Sequence, residues 1–165
     1  MKLKINFYAG ILFIIMLFLS CAGIDKDEKA KLNYRNNRHS FALTFPETWK
    51  NYVVFEKQDI IAPGFMVDTL YFALPTRARN WQPFNVPDNF AAIFSIRVFS
   101  LEVWDDFYKK YRDNSVFFSR SDKVLFRSRD YVYVLKYGVS LPVDLYSYSK
   151  DTEPIVSSFL YTGRK

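Results

Sequence analysis

The chain has 165 residues, half of them hydrophobic and 19% aromatic, with a formal net charge of +6. A chain of this length is sufficient for one domain with its own hydrophobic core. The apolar content excludes disorder of the chain as a whole, because disordered proteins combine low hydrophobicity with high net charge. The basic residues are spread along the sequence and do not form one stripe, which argues against a nucleic-acid partner.

The first twenty residues have the order of a secretory signal sequence. Lys2 and Lys4 give a positive start, the stretch 5–19 is apolar and uncharged, and Ser20 and Cys21 follow. A charged region, an apolar region and a small residue, in this order, are typical of a signal peptide. We therefore predict a signal peptide over residues 1–20.

The segment 17–21, Leu-Phe-Leu-Ser-Cys, resembles the lipobox of bacterial lipoproteins. It departs from the usual pattern at Phe18, where leucine is typical three residues before the cysteine. The resemblance implies that Cys21 is linked to diacylglycerol and that the mature protein is lipid-anchored. Two or three acyl chains hold a protein on a bilayer far more firmly than one. Ala22, a residue other than Asp after the cysteine, implies sorting to the outer membrane.

Two other interpretations of this region stay open. The uncharged span 5–24 is long enough for an uncleaved transmembrane helix. Cleavage near Ala22 and Gly23 would instead release a soluble exported protein. Cys21 is the only cysteine, which excludes an intrachain disulfide.

A polar segment separates the signal sequence from the pattern of a folded domain. Residues 25–37 are rich in mixed charge, and Leu32 and Tyr34 are their only large apolar side chains. Such a segment buries too little surface to offset its ordering entropy, so we predict a lipidated cysteine and flexible tether over 21–37. A single domain is then expected over 38–165.

Alternation of apolar and polar residues predicts an antiparallel sheet of about six or seven strands. The predicted strands are 41–45, 50–57, 66–74, 91–100, 116–119, 124–129 and 131–137. Ser95 and Arg97 are expected to face outward, opposite to the apolar residues of the 91–100 strand. The residues between strands contain no repeating β-α-β pattern, which favours an α+β fold.

Two helices are expected to flank this sheet. Four aromatic residues in the segment 102–112 recur at helical spacing and form one apolar stripe. They are Trp104, Phe107, Tyr108 and Tyr111. Ser100 is the expected N-cap of this helix. A second, shorter helix is predicted after Asp151, its expected cap.

The stretch 39–52 resembles the opening of PsbP-like domains and related small bacterial lipoproteins. The residues that carry the resemblance are Phe41, Phe45, Pro46, Trp49 and Tyr52. The segment 156–159, Val-Ser-Ser-Phe, is similar to the C-terminal part of that family. The resemblance implies an antiparallel sheet flanked by helices, used as a non-catalytic accessory or binding module.

The sequence offers few residues for catalysis or metal binding. His39 is the only histidine, and Cys21 is assigned to the lipid, so a nucleophile–base pair and the common zinc sites lack their residues. Asp105 and Asp106 are neighbours on a helix and do not face each other. Asp68 is a strand residue, expected at the sheet edge or buried and paired. We expect no catalytic residue, no metal site and no cofactor.

The segment 75–89 is expected to be a long loop, since it has three prolines and no sustained period. Long loops of compact domains often carry binding residues. Arg77, Arg79, Trp81 and Phe84 are the expected binding residues, because an aromatic residue next to arginine is a frequent interface anchor. The alternative is a lid that covers one face of the sheet.

The expected function is that of a membrane-anchored accessory module with an envelope protein as partner. Two alternatives stay open: a carboxylate-dependent hydrolase of envelope polymers, and a carrier for a lipid or a small ligand. The hydrolase requires two convergent carboxylates in a cleft, and the carrier requires an apolar cavity. The oligomeric state does not follow from the sequence.

Overall fold

The computed structural model describes residues 31–79, 81, 86–117, 119, 122–138 and 140–164. These residues form eight strands and two α-helices, which confirms the predicted α+β class. The strands are β1 (Lys31–Asn36), β2 (Phe41–Pro46), β3 (Val53–Ala62), β4 (Phe65–Pro75), β5 (Phe90–Ser100), β6 (Lys123–Arg127), β7 (Tyr131–Tyr137) and β8 (Leu160–Tyr161). The helices are α1 (Leu101–Tyr111) and α2 (Thr152–Ser157), and two 3-10 helices span Glu47–Trp49 and Val143–Asp151.

The strands divide between two antiparallel sheets, where the sequence predicted one sheet. The small sheet has the order β1-β2-β8, and the large sheet has the order β3-β4-β5-β7-β6. The prediction of a single sheet is wrong because Pro46 ends β2 and the 3-10 turn Glu47–Trp49 redirects the chain. β3 therefore starts at the edge of a second sheet.

β1 occupies residues that the sequence analysis assigned to the tether. Leu32 and Tyr34 pack against the core, and the residues that alternate with them are exposed. The register places Tyr34 opposite Leu43 of β2. Leu32, Tyr34 and the buried Asn36 give this edge strand one covered face, so residues 31–36 belong to the folded domain.

The inner faces of the two sheets pack against each other and form the main core. The Phe45 ring centroid lies 5.7 Å from that of Phe72 and 6.5 Å from that of Phe94. The ring centroid of Phe41 lies 5.8 Å from that of Tyr133. All five rings are fully buried, and each contributes on the order of 2 kcal/mol through removal of apolar surface from water. These contacts hold the small sheet on the large one.

One end of the main core is closed by the two 3-10 helices and α2. Trp49 is fully buried, and its indole N–H donates to Asp151 Oδ2 at 3.1 Å. The prediction that Asp151 caps α2 is wrong, because its side chain makes no capping hydrogen bond and instead accepts the bond from Trp49. Ile155 and Val156 of α2 fill the core beside it.

Helix α1 packs on the other face of the large sheet, named here the outer face. The buried residues of its stripe are Trp104, Phe107 and Tyr111, as predicted. Tyr108 is 41% exposed and lies at the margin of the stripe. The Trp104 ring packs edge-on against Phe99 of β5 at 5.1 Å. Ser100 accepts a hydrogen bond from the Val103 N–H at 3.4 Å, which confirms the predicted N-cap.

The prediction of a strand at 116–119 is wrong for residues 116, 117 and 119, which the structure describes. Val116 and Phe117 belong to a turn, and Val116 is 81% exposed. A strand needs a partner for its backbone groups, and β6 already pairs with the free side of β7. Residue 118 lies outside the described residues.

Candidate functional site

The binding residues predicted in the segment 75–89 lie in different environments. Arg77 and Arg79 are exposed. Trp81 is half-buried and packs against the main core. Phe84 lies outside the described residues. The structure therefore places the two arginines on one exposed stretch and the tryptophan against the protein interior.

The base of this segment is fixed by Asp144, which lies in the second 3-10 helix. Thr76 Oγ1 lies 2.9 Å and 3.1 Å from the two carboxylate oxygens of Asp144, to which it donates, and the Arg77 N–H donates at 2.8 Å. The bond from the Arg77 N–H is the main cause that lowers the pKa of Asp144. The Thr76 N–H also donates to the carbonyl of Asn89 at 2.8 Å. The two arginines therefore extend from a well-defined base.

Two apolar residues of the same segment cover the large sheet. Trp81 contacts the main core, and its indole Nε1 is buried without a hydrogen-bond partner among the described residues. Val86 is 3% exposed and packs on the outer face with Tyr71 and Ala92. Trp81 and Val86 therefore lie in two different clusters, one between the sheets and one on the outer face, while Arg77 and Arg79 are exposed.

A second group of polar side chains joins the β1–β2 turn to the large sheet. Arg38 donates to Glu56 Oε1 at 2.6 Å and to Asp68 Oδ2 at 3.1 Å. The buried His39 places Nε2 3.3 Å from Glu56 Oε1 and 3.6 Å from Asp68 Oδ2. The Tyr133 hydroxyl donates to the His39 carbonyl at 2.6 Å. The two carboxylates converge, but both are directed at the same arginine and histidine, so the group serves as a tie between the sheets.

The outer face of the large sheet carries a group of polar side chains on β4, β5 and β7 that the sequence did not reveal: Thr69, Tyr71, Ser95, Arg97 and Lys136. The register places Thr69 opposite Arg97, and it places Ser95 between Tyr71 and Lys136. Directly opposite residues on antiparallel strands share a face and lie close together. We name these five residues the polar row. It lies between the apolar patch under α1 and a second apolar patch at the β4–β5 connection.

The charged residues of the polar row are partly removed from water. Burial lowers the pKa of Arg97, and the charge of Asp122 opposes this effect. Burial and the neighbouring charge of Arg97 lower the pKa of Lys136, whose Nζ lies 3.7 Å from Asp122 Oδ1. The Tyr71 hydroxyl donates to Asp59, and burial, followed by this bond, raises the pKa of Tyr71. The row is therefore a partly desolvated cluster of charges.

One pattern in the sequence indicates part of the polar row. Ser95 and Arg97 were expected to face outward, and they do lie on the outer face. Outward positions of a strand are ordinarily taken as exposed to solvent, yet Ser95 is 1% exposed. The missing information was tertiary, because α1 and Val86 cover this face from its two ends.

The predicted anchor lies outside the described residues, as do Cys21 and the whole signal-like segment. No helix in the described part of the chain is long and apolar enough to cross a membrane. Within residues 31–164, leaving aside the undescribed positions, no group of three or more His, Cys, Asp or Glu side chains is placed to hold a metal ion.

The fold defines an α+β protein in which two antiparallel sheets enclose an aromatic core. The chain matches no protein-family model, no curated protein and no solved structure. A function for this chain must therefore be inferred from its own residues.

Proposed function

We propose that this protein is an exported, lipid-anchored protein of the cell envelope that acts as a non-catalytic interaction module. The observation that carries the proposal is the position of Cys21 in the sequence, directly after the signal-like segment and ahead of the first described element. β1 begins at Lys31, and every described element follows it along the chain. Lys31, the first residue of β1, is exposed.

The sequence before the domain supports attachment through lipid at Cys21. Residues 1–20 have the signal-peptide order, and Cys21 stands where a lipobox places its cysteine. Each buried methylene of an acyl chain contributes about 0.8 kcal/mol, so two or three chains give stable attachment. Ala22 supports sorting to the outer membrane.

The exposed arginines support an interaction role for the domain. Arg77 and Arg79 are held on a base fixed by Asp144, which reduces the entropy lost when a partner binds. Their charge suits an envelope protein with an acidic surface or another anionic component of the envelope. The only histidine, His39, is committed to the tie with Glu56 and is less suited to acid–base chemistry.

A PsbP-like arrangement is part of this proposal. The residues that carry the resemblance at the start of the domain have structural roles, since Phe41, Phe45 and Trp49 are all fully buried. The resemblance therefore bears on the fold, and through the fold it supports an accessory or binding module.

The anchoring proposal is tested by Cys21→Ser in cells supplied with labelled fatty acid. We expect loss of the label and accumulation of the unprocessed precursor, because serine cannot form the thioether. Ser20→Ala is the matched control and should be labelled and processed normally, since alanine is also a small residue before the cysteine. Normal labelling and maturation of Cys21→Ser would show that the lipoprotein assignment is wrong.

A further inference from the structure

Arg97, in the middle of the polar row, is a half-buried cation. It makes no hydrogen bond and no ion pair with any residue in the described ranges, and its Nε is buried. A guanidinium carries five N–H donors. Burial of a charge is unfavourable unless the charge is paired and hydrogen-bonded. The position is therefore stabilised by any anion that reaches these donors.

The nearby carboxylates have other direct partners. Asp122 pairs with Lys136 and accepts a hydrogen bond from the Ser119 N–H at 3.2 Å. Asp59 accepts the bond from the Tyr71 hydroxyl. Asp59 and Asp122 offset two of the three positive charges on this face, those of Arg97, Lys136 and Lys57, the last of which lies opposite Thr69. Neither carboxylate forms an ion pair with Arg97 within the described residues, and both act on it through space. Their charges limit the affinity for an anion, and no described residue occupies the guanidinium donors.

Two hydroxyl groups beside Arg97 also lack hydrogen-bond partners among the described residues. Thr69 is 0% exposed and lies directly opposite Arg97, and Ser95 is 1% exposed on the same face of β5. Neither Thr69 Oγ1 nor Ser95 Oγ has a hydrogen-bond partner within the part of the chain that the structure describes. Unpaired buried polar groups are uncommon in folded proteins. Three neighbouring side chains thus offer donors to one small region of the outer face.

We propose that the polar row binds an oxyanion, the carboxylate or phosphate group of a ligand, on Arg97 with the hydroxyls of Ser95 and Thr69 as additional donors. Arginine binds both groups well because its planar donors match two of their oxygens. The half-buried side chains of Arg97 and Lys136 give the ligand its access from solvent. The site goes beyond membrane anchoring and does not depend on it.

The test uses the full chain purified in detergent, with inorganic phosphate and acetate as probes and chloride as the reference anion at constant ionic strength. We expect phosphate, acetate or both to bind with a Kd of the order of 1 mM in calorimetry and to raise the Tm. Arg97→Met should reduce the affinity by at least about tenfold, the effect of losing charge-assisted hydrogen bonds. Without the anion its Tm should equal or exceed that of the unsubstituted chain. Arg129→Gln, which removes an exposed arginine, is the matched control and should bind normally.

The outcomes separate the sources of the anion. A response to phosphate alone assigns phosphate ligands, a response to acetate alone assigns carboxylate ligands, and a response to both supports a general oxyanion site. Binding of neither probe, or undiminished binding by Arg97→Met, overturns the proposal. If Arg97→Met does not fold, Ser95→Ala takes its place. That variant should weaken binding while the fold is kept, and equal binding by it would also overturn the proposal.

Discussion

Arg79 and Trp81 are close in the chain, but Arg79 is exposed to solvent and Trp81 packs against the main core. Arg79 is exposed, so its side chain contributes little to the folded state. Trp81 packs against the main core, where an aromatic ring removes apolar surface from water. Substitutions at the two positions should therefore separate binding from stability.

For Arg79→Ala we expect a change in unfolding free energy of less than about 0.5 kcal/mol together with weaker recovery of a partner from membrane extracts. For Trp81→Ala we expect a loss of roughly 2 kcal/mol, below the range of a fully buried tryptophan. Denaturant unfolding measures the unfolding free energy of both variants, and co-purification measures the recovery of the partner. If Arg79→Ala recovers the partner fully, Arg79 is not part of the interaction site.

At the scale of single elements, helix α1 offers the sharpest comparison. Trp104 is 5% exposed and packs against Phe99, whereas Tyr108, one turn later on the same helix, is 41% exposed. Trp104→Ala should cost about 3–5 kcal/mol because it leaves a cavity under the helix. Tyr108→Ala is the internal control and should cost clearly less. Equal losses for the two variants in urea unfolding would contradict the packing of α1 described above.

Elements with a complete local pattern could be predicted from the sequence. α1 has an apolar stripe, a capping serine and charged ends, and its bounds differ from the predicted ones by one residue. β5 combines inward apolar residues with the outward Ser95 and Arg97, and it too was predicted within one residue. In both cases local propensity and tertiary packing favour the same structure.

Elements that depend on distant partners could not be predicted in this way. β1 has only two inward apolar residues, Leu32 and Tyr34, and its stability comes from pairing with β2. The 3-10 helix Val143–Asp151 has one buried residue, Leu145, and therefore shows no period. The polar row is assembled from three strands, so no stretch of sequence contains it.

At the scale of the whole molecule, buried and half-buried tyrosines make the unfolding free energy depend on pH in the alkaline range. Burial, followed by the hydrogen bond to Glu153, raises the pKa of Tyr137 to about 12. Burial is also the main cause that raises the pKa of Tyr133 and Tyr71 above the ordinary value of 10.0. Above pH 10 the unfolded chain therefore releases phenolic protons that the folded chain retains. Rising pH then favours unfolding, and the loss continues up to the folded-state pKa values.

We expect the unfolding free energy to fall as pH rises above about 10, with unfolding seen by circular dichroism accompanied by growth of tyrosinate absorbance. Tyr133→Phe should make this fall less steep. At neutral pH the same variant should lose ~1 kcal/mol, because the His39 carbonyl loses its hydrogen bond. Tyr146→Phe removes an exposed phenol and should follow the unsubstituted chain. Tyrosinate formation that precedes unfolding throughout would argue against this linkage.

On the lipid anchoring proposed above, the short chain between Cys21 and β1 would limit how far the domain can travel from a membrane. The chain from Cys21 to Lys31 reaches at most roughly 35 Å when fully extended. The domain then samples a thin layer beside the bilayer. A partner tethered in the same membrane meets it at an effective concentration that reaches about the millimolar range for short links. Contacts too weak to hold two free proteins together in solution are sufficient in that layer.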